Sequence, residues 1–281
     1  MANKLILSAF ADEYSENFTE QLGALKKFDI SYLEIRGVDG KNVSLLNKEE
    51  VKTIKQKLDD YAIRVSSIGS PIGKIKIDGN MQEHLEMVKR VLETAETLNS
   101  KYCRIFSFYA PDGKNIQDYK TQVYDALEKI VKIAENYDVI LCHENESLIY
   151  GESPDKCLEI MEYFGGKMKY VFDMANYVIE GYKPYPDAYQ KLEKHIEYFH
   201  IKDALYAGAI VPAGKGEGSI KKILNDWKEN GTHDVFITLE PHLQSFSGLN
   251  ALVGRPFVNP YQYEDQKTAF TDAVSKLREL L

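Results

Sequence analysis

The stretch Ile196-Glu197-Tyr198-Phe199-His200-Ile201 is a run of β-branched and aromatic residues that ends in Lys202-Asp203. A glycine-rich segment follows, then residues 219–229 with helical periodicity, and then a second apolar run, Val235-Phe236-Ile237-Thr238-Leu239. A strand, a helix of about three turns and another strand form the βαβ unit of a parallel sheet. The same alternation extends outward to cover the chain. Further strand-like runs stand at residues 5–7, 31–35, 63–68, 102–106, 139–142 and 170–172, which makes eight. Helical patterns separate them. Residues 17–27 place Phe18, Leu22 and Leu25 on one face, and residues 81–98 place Leu85, Val88, Val91, Leu92 and Ala95 on another. Residues 47–61 open with Asn47 and carry Glu50 three positions later, a capping-box pattern. Residues 124–137, 155–164 and 269–281 complete the set.

Eight β/α units in a chain of this length predict an α/β protein of the (β/α)₈ TIM-barrel class. With no low-complexity linker or break in composition, residues 1–281 are expected to form one domain. The rival doubly wound sheet advertises a glycine-rich fingerprint after its first strand, where this chain has Ser8-Ala9-Phe10-Ala11-Asp12.

Composition narrows the partners. The chain has 281 residues and a formal net charge of −8, which disfavours duplex DNA and anionic membranes, since both select a basic face. No segment approaches the ~18–20 apolar residues of a membrane span. The first residues (one early lysine, a very short apolar run, then Asp12-Glu13) do not read as a signal peptide. The three cysteines, Cys103, Cys142 and Cys157, show no metal-finger spacing, so a reducing cytoplasm is the expected location. The expected partner is a small molecule, without nucleic acid or membrane; a homo-oligomer is left open.

A barrel of this class builds its active site from the C-terminal ends of its strands. Reading those exits gives Glu34 and Arg36, residues 66–70, Ser107, His143-Glu144-Asn145-Glu146, Asp173, His200 with Lys202-Asp203, and Glu240 with His242. Three carboxylates and an imidazole (Glu144, Asp173, His200, Glu240) thus end the fifth to eighth strands in succession. Any one of them alone reads as a helix cap or an ion-pair partner. Four on adjacent strands read as a site for one divalent cation, Mn²⁺, Mg²⁺, Co²⁺ or Zn²⁺.

The exits Cys142-His143-Glu144-Asn145, residues 171–176, Phe199-His200-Ile201-Lys202-Asp203 and Leu239-Glu240-Pro241-His242 resemble the xylose-isomerase-like TIM-barrel superfamily. Within it, the sequence is most similar to the sugar phosphate isomerase/epimerase group. The resemblance runs from the first strand to the last helix through short motifs in the right order. It implies that Glu144, Asp173, His200 and Glu240 bind one metal, and that Glu144 and Glu240 flank the substrate and exchange protons with it. General chemistry agrees. A proton beside a carbonyl is too weakly acidic for a free carboxylate unless the developing enediolate is stabilised. Two carboxylates can then remove and return the proton.

Two positions depart from the family pattern. Where many members carry a His three residues after the Asp, this chain has Asn176, which cannot carry a proton at neutral pH. Where relatives often read Glu-Asn-His after the fifth strand, it reads Glu144-Asn145-Glu146; strand alternation would point Glu144 and Glu146 the same way, which makes Glu146 a rival ligand to the preferred Glu144. Glu34, Arg36, Glu146, Asn176, Lys202 and His242 are candidates to bind substrate. The bland alternative is a buried ion pair for Glu34 and Arg36, a loop salt bridge for Lys202, and a hydrogen bond to a ligating carboxylate for His242. Asp203 reads as either a substrate contact or a loop salt bridge. Residues 213–219 (Ala-Gly-Lys-Gly-Glu-Gly-Ser) are a candidate phosphate cradle, though a flexible loop ending in a Ser219 N-cap is preferred. Phe10, Tyr14, Phe108, Tyr109, Tyr150, Tyr177, Tyr206 and Phe246 crowd the exits as sugar-stacking or packing groups. Cys142 and Trp227 read as core.

The leading expectation is a divalent-metal-dependent isomerase or epimerase of a small sugar, sugar phosphate or related polyhydroxy carbonyl compound. A dehydratase or lyase on a keto-sugar or keto-inositol would use the same site. A non-catalytic sugar-binding barrel is disfavoured because it should have lost a ligand. An apurinic endonuclease would need a His-rich metal cluster and a basic groove, against six histidines and a charge of −8.

Overall fold

In the computed structural model, which describes residues 2–243 and 260–281, eight parallel strands close into a barrel. They are Leu5–Ala9 (β1), Tyr32–Ile35 (β2), Arg64–Ile68 (β3), Tyr102–Ile105 (β4), Ile140–Glu144 (β5), Lys169–Asp173 (β6), Ile196–Ile201 (β7) and Val235–Leu239 (β8). Each pairs with its sequence neighbours, and β1 closes the ring on β8 with Leu5 opposite Val235 and Ala9 opposite Leu239. Strands buried on both faces carry apolar runs rather than a clean alternation. Phe172, Phe199, Ile237 and Leu141 accordingly lie at or near zero exposure.

The helices pack outside the ring and begin where the sequence supplies a cap. Asn17 accepts from the Glu20 amide to start Phe18–Lys27, and Leu22 and Leu25 are buried on its inner face. Asn47 and Glu50 form the expected capping box at the start of Lys48–Asp60. Ser153 caps Pro154–Phe164, which carries proline at its first turn and ends on Gly165 in the left-handed conformation. Such caps satisfy amides left unpaired in a first turn.

Several boundaries differ from the sequence reading. β5 and β6 extend to Glu144 and Asp173, so both carboxylates belong to the strands themselves. The helix expected over 124–137 is Lys120–Ala134. Its start follows a turn at Ile116–Tyr119 that Asn115 caps, and beyond its end Asn136 bonds back to the Lys132 and Ile133 carbonyls. The last helix runs Gln266–Arg278, capped by Asp265. A short helix, Met174–Ile179, springs directly from β6 and was not anticipated, because its cap is Asp173 itself. Ser219 does precede Ile220–Asn230, but its φ of 55° is left-handed and its side chain caps nothing. Two small hairpins, Gly37–Val38 with Lys41–Asn42 and Asp203–Ala204 with Ile210–Val211, sit beyond the C-terminal ends of β2 and β7.

Candidate metal centre

Glu144 ends β5, Asp173 ends β6, His200 is the penultimate residue of β7, and Glu240 follows β8. In the sheet Asp173 is registered with His200, and His200 with Thr238, which brings the strand ends side by side. One ligand atom from each of Glu144, Asp173, His200 and Glu240 lies within 4.8 Å of the others, and all four residues are buried. His200 Nδ1 is 2.9 Å from Glu144 Oε1 and 3.4 Å from Glu240 Oε2, while its Nε2 faces Glu34 Oε2 at 3.1 Å.

Cations ring this cluster. Arg104 Nη1 lies 3.2 Å from Glu144 Oε2 and 3.8 Å from Glu240 Oε1. Lys202 Nζ lies 3.1 Å from Asp173 Oδ2 and 3.7 Å from Glu240 Oε2. Arg36 reaches Glu240 Oε1 at 2.7 Å, grips both oxygens of Asp12 and lies 3.2 Å from Glu13. Its guanidinium rests over the Phe10 ring at 4.3 Å.

The electrostatics follow from packing so many charges in a dry site. Burial pushes the Asp173 carboxyl up to about 7; Lys202 opposes the shift, and Glu144 and Glu240 add to it. Burial works against the Glu240 carboxylate as well, but Lys202, His242 and His200 outweigh it and hold that group well below the usual range. For His200, burial favours the neutral ring, and Glu144 and Glu34 overturn that preference by facing a ring nitrogen each. Glu13 is pushed up to about 8, mainly by burial, with Arg36 opposing.

These residues fit a divalent cation. Three carboxylates and one imidazole are a hard, oxygen-rich donor set. Glu144 Oε2 and Asp173 Oδ2 are buried and make no hydrogen bond among the described residues, although Arg104 and Lys202 stand close. Asp173 is also difficult to ionise beside Glu144 and Glu240, and a dication relieves that repulsion. A second trio, Glu13, Glu240 and His242, converges as tightly but already encloses the Arg36 guanidinium.

The other candidates divide. Lys202 and His242 face the cluster; His242 Nε2 is 3.5 Å from both Glu240 and Glu13. Glu34 and Arg36 do not pair with each other: Glu34 supports His200 and Arg36 supports Glu240. Glu146 lies outside the cluster and meets Lys74 Nζ at 2.9 Å. Because β5 ends at Glu144, strand alternation does not carry Glu146 to the same face. Asn176 is tied down, its amide nitrogen donating to the Asn145 carbonyl and its backbone to Asp173.

The glycine-rich loop, weighed as a phosphate cradle against the preferred flexible loop, already holds an anion. Its Gly214, Gly216 and Gly218 amides donate to the Asp203 carboxylate at 2.8, 3.0 and 2.9 Å, with the Ala204 amide completing the set. The anion in this nest is therefore the chain's own. A Cβ on Gly216 would lie 2.3 Å from Asp203 Oδ1, which explains the absence of a side chain there. Cys142 and Trp227 are core residues, as read. Phe10 and Tyr177 are buried packing groups, and Phe246 lies outside the described residues.

Arg104 was missed because it sits inside β4 rather than at its exit. An arginine within an otherwise apolar buried strand was the available signal. Asp12 and Glu13 were noticed only as charges that interrupt an N-terminal apolar run.

The sequence profile of the xylose isomerase-like TIM barrel matches residues 22–266, and the chain belongs to that family. No curated protein matches it by sequence. Among solved structures it is similar to a D-allulose 3-epimerase from Methylomonas sp. in complex with D-allulose (TM-score 0.74, 12% identity, covering 99% of this chain and 98% of that one). It is also similar to a probable 3-DHS dehydratase of Bacillus anthracis involved in petrobactin synthesis (TM-score 0.71, 16% identity, 98% of each chain). A third is a xylose isomerase-like TIM-barrel protein from Mycobacterium smegmatis in complex with magnesium (TM-score 0.71, 12% identity, 99% of this chain and 96% of that one). Likeness at these identities shows the shared barrel. No helix among the described residues is long and apolar enough to cross a membrane.

Proposed function

We propose that this chain is a single-barrel, cytoplasmic, divalent-metal-dependent isomerase or epimerase of a small polyhydroxy carbonyl compound, a sugar or sugar phosphate. The observation that carries the reading is the convergence of Glu144, Asp173, His200 and Glu240 within 4.8 Å at four successive strand ends. In this reading those four residues hold the cation. When bound, it supplies a Lewis acid for the negative charge that develops on the substrate oxygen.

The chain's own groups supply the proton chemistry. One of Glu144 and Glu240 takes the proton from the carbon beside the carbonyl, and the other delivers a proton, inverting the centre or moving the carbonyl. Arg36, fixed by Asp12 and Glu13, turns Glu240 Oε1 away from the cluster and leaves Oε2 facing it. Lys202 and His242 are placed to hydrogen-bond substrate oxygens. Glu144, Glu240, Arg36, Lys202 and His242 are all buried, which excludes the water that would otherwise compete for those oxygens.

Incubating the protein with Mn²⁺ and D-allulose, D-fructose or their 6-phosphates in deuterated water tests the reading. Converted substrate should carry solvent deuterium at the reacting carbon, and E144Q and E240Q should each abolish conversion. Full turnover in either variant, or conversion without exchange, would contradict the proton-transfer roles. A dehydratase or lyase acting on a keto-sugar or keto-inositol is the second reading, favoured by the structural likeness to a probable dehydratase; loss of water from the substrate would select it.

A further inference from the structure

His200 has a supporting chain that the reaction chemistry does not require. Glu34, on β2, is fully buried and reaches across the barrel interior to β7, where its Oε2 lies 3.1 Å from His200 Nε2. Its other oxygen accepts the Tyr198 hydroxyl at 3.1 Å, and that hydroxyl lies 2.9 Å from Ser67 Oγ on β3. Tyr198 has one proton, and a carboxylate only accepts, so the proton is committed to Glu34 and Ser67 donates to Tyr198. The chain therefore has one direction. It runs from Ser67 through Tyr198 to Glu34, which receives His200 Nε2–H from the far side.

We propose that Glu34 is a positioning residue that acts through His200, with Tyr198 and Ser67 fixing its carboxylate so that, when a cation takes the place of the Nδ1 proton now shared with Glu144, Nε2 keeps the ring proton and Nδ1 offers its lone pair to the cluster. This rests on the metal reading of the site. It replaces a substrate-binding role for Glu34, because both Glu34 oxygens are engaged on the barrel side of the imidazole. Nδ1 is the nitrogen that faces Glu144 and Glu240, at 2.9 and 3.4 Å. A carboxylate behind a ligating histidine fixes its tautomer and raises its basicity. A Gln at position 34 presents either a neutral oxygen, a weaker acceptor, or an N–H group that forces the proton onto Nδ1 and closes that nitrogen to a metal.

The test is titration of the metal-free wild type, E34Q and Y198F with Co²⁺, followed by visible absorption, beside the melting temperature of each metal-free protein. Wild type should take up one Co²⁺ per chain. E34Q should bind about tenfold to a hundredfold more weakly. Y198F, which removes one hydrogen bond and keeps the carboxylate, should bind about threefold more weakly and carries the test if E34Q does not fold. In the Zn²⁺-loaded wild type, the ¹⁵N spectrum should show the His200 Nε2 as a protonated, pyrrole-type nitrogen. Variants that melt lower but keep wild-type Co²⁺ affinity would overturn the inference and leave the metal reading standing. A wild type that takes up no Co²⁺ would overturn that reading and the inference together.

Discussion

Replacing Asp203 with Asn isolates the clamp that fixes the loop after β7. The carboxylate accepts four backbone amides, two on each oxygen: Gly214 and Gly216 on Oδ2, Gly218 and Ala204 on Oδ1. An Asn side chain keeps one oxygen and sets an N–H₂ group against the other pair of amides, so two bonds are lost and donors face donors. At about 1–1.5 kcal/mol each, the cost is roughly 2–3 kcal/mol. A 281-residue chain has an unfolding entropy of roughly 0.6 kcal/mol/K, from about 2.1 cal/mol/K per residue. The variant should therefore melt roughly 3–5 °C lower at pH 7 by calorimetry. Amide exchange at Gly214, Gly216 and Gly218 should accelerate, while that of β7 itself changes little. Lys202 is the adjacent residue and reaches Asp173, so turnover should fall as well. A melting temperature within about 1 °C of wild type, with unchanged exchange at those glycines, would refute the clamp.

Two further outcomes follow from buried charge. Arg104→Met removes the cation beside Glu144 and Glu240 and should destabilise the metal-free protein by about 3–5 kcal/mol, read by thermal or urea unfolding. Saturating Mn²⁺ should narrow that deficit by replacing the lost charge, and a deficit that Mn²⁺ leaves untouched would count against the site. His84 Nε2 accepts the Gly73 amide at 3.0 Å, and burial pushes the ring down to about 4 from an ordinary 6.5. The folded protein keeps this ring neutral while the unfolded chain protonates below 6.5, so the stability it contributes is present above that pH and is lost as pH falls towards 4. Between pH 7 and 5 the stability gap between wild type and H84Q should close by at most about 2 kcal/mol, and a gap independent of pH would contradict the assignment.

Much of this protein is legible along the chain. The eight apolar runs are local signals, and so are the caps at Asn17, Asn47 and Ser153, because a cap acts within four residues of itself. The four converging side chains were legible for a related reason: a parallel barrel places every strand exit on one rim, so topology turns sequence position into proximity. What was hidden depends on contacts across the barrel or on local backbone detail. Arg104 pairs with Glu144 on β5 and Glu240 just beyond β8, and nothing in its own strand records those partners. Glu34 read as a substrate contact because its exit position was visible, while the Tyr198 hydroxyl opposite it, 164 positions away, was not. The glycine-rich loop was weighed as an anion site but read by preference as a flexible loop; it does hold an anion, and the sequence does not say that Asp203 is that anion. Glu146 was weighed by strand alternation, which fails where the strand stops at Glu144.

Crystals grown with Mn²⁺ and measured for anomalous scattering test the central claim most directly. The account predicts one peak per chain, bounded by Glu144, Asp173, His200 and Glu240, with the histidine contributing Nδ1. No peak among those four residues, or a cluster of several metals there, would contradict it.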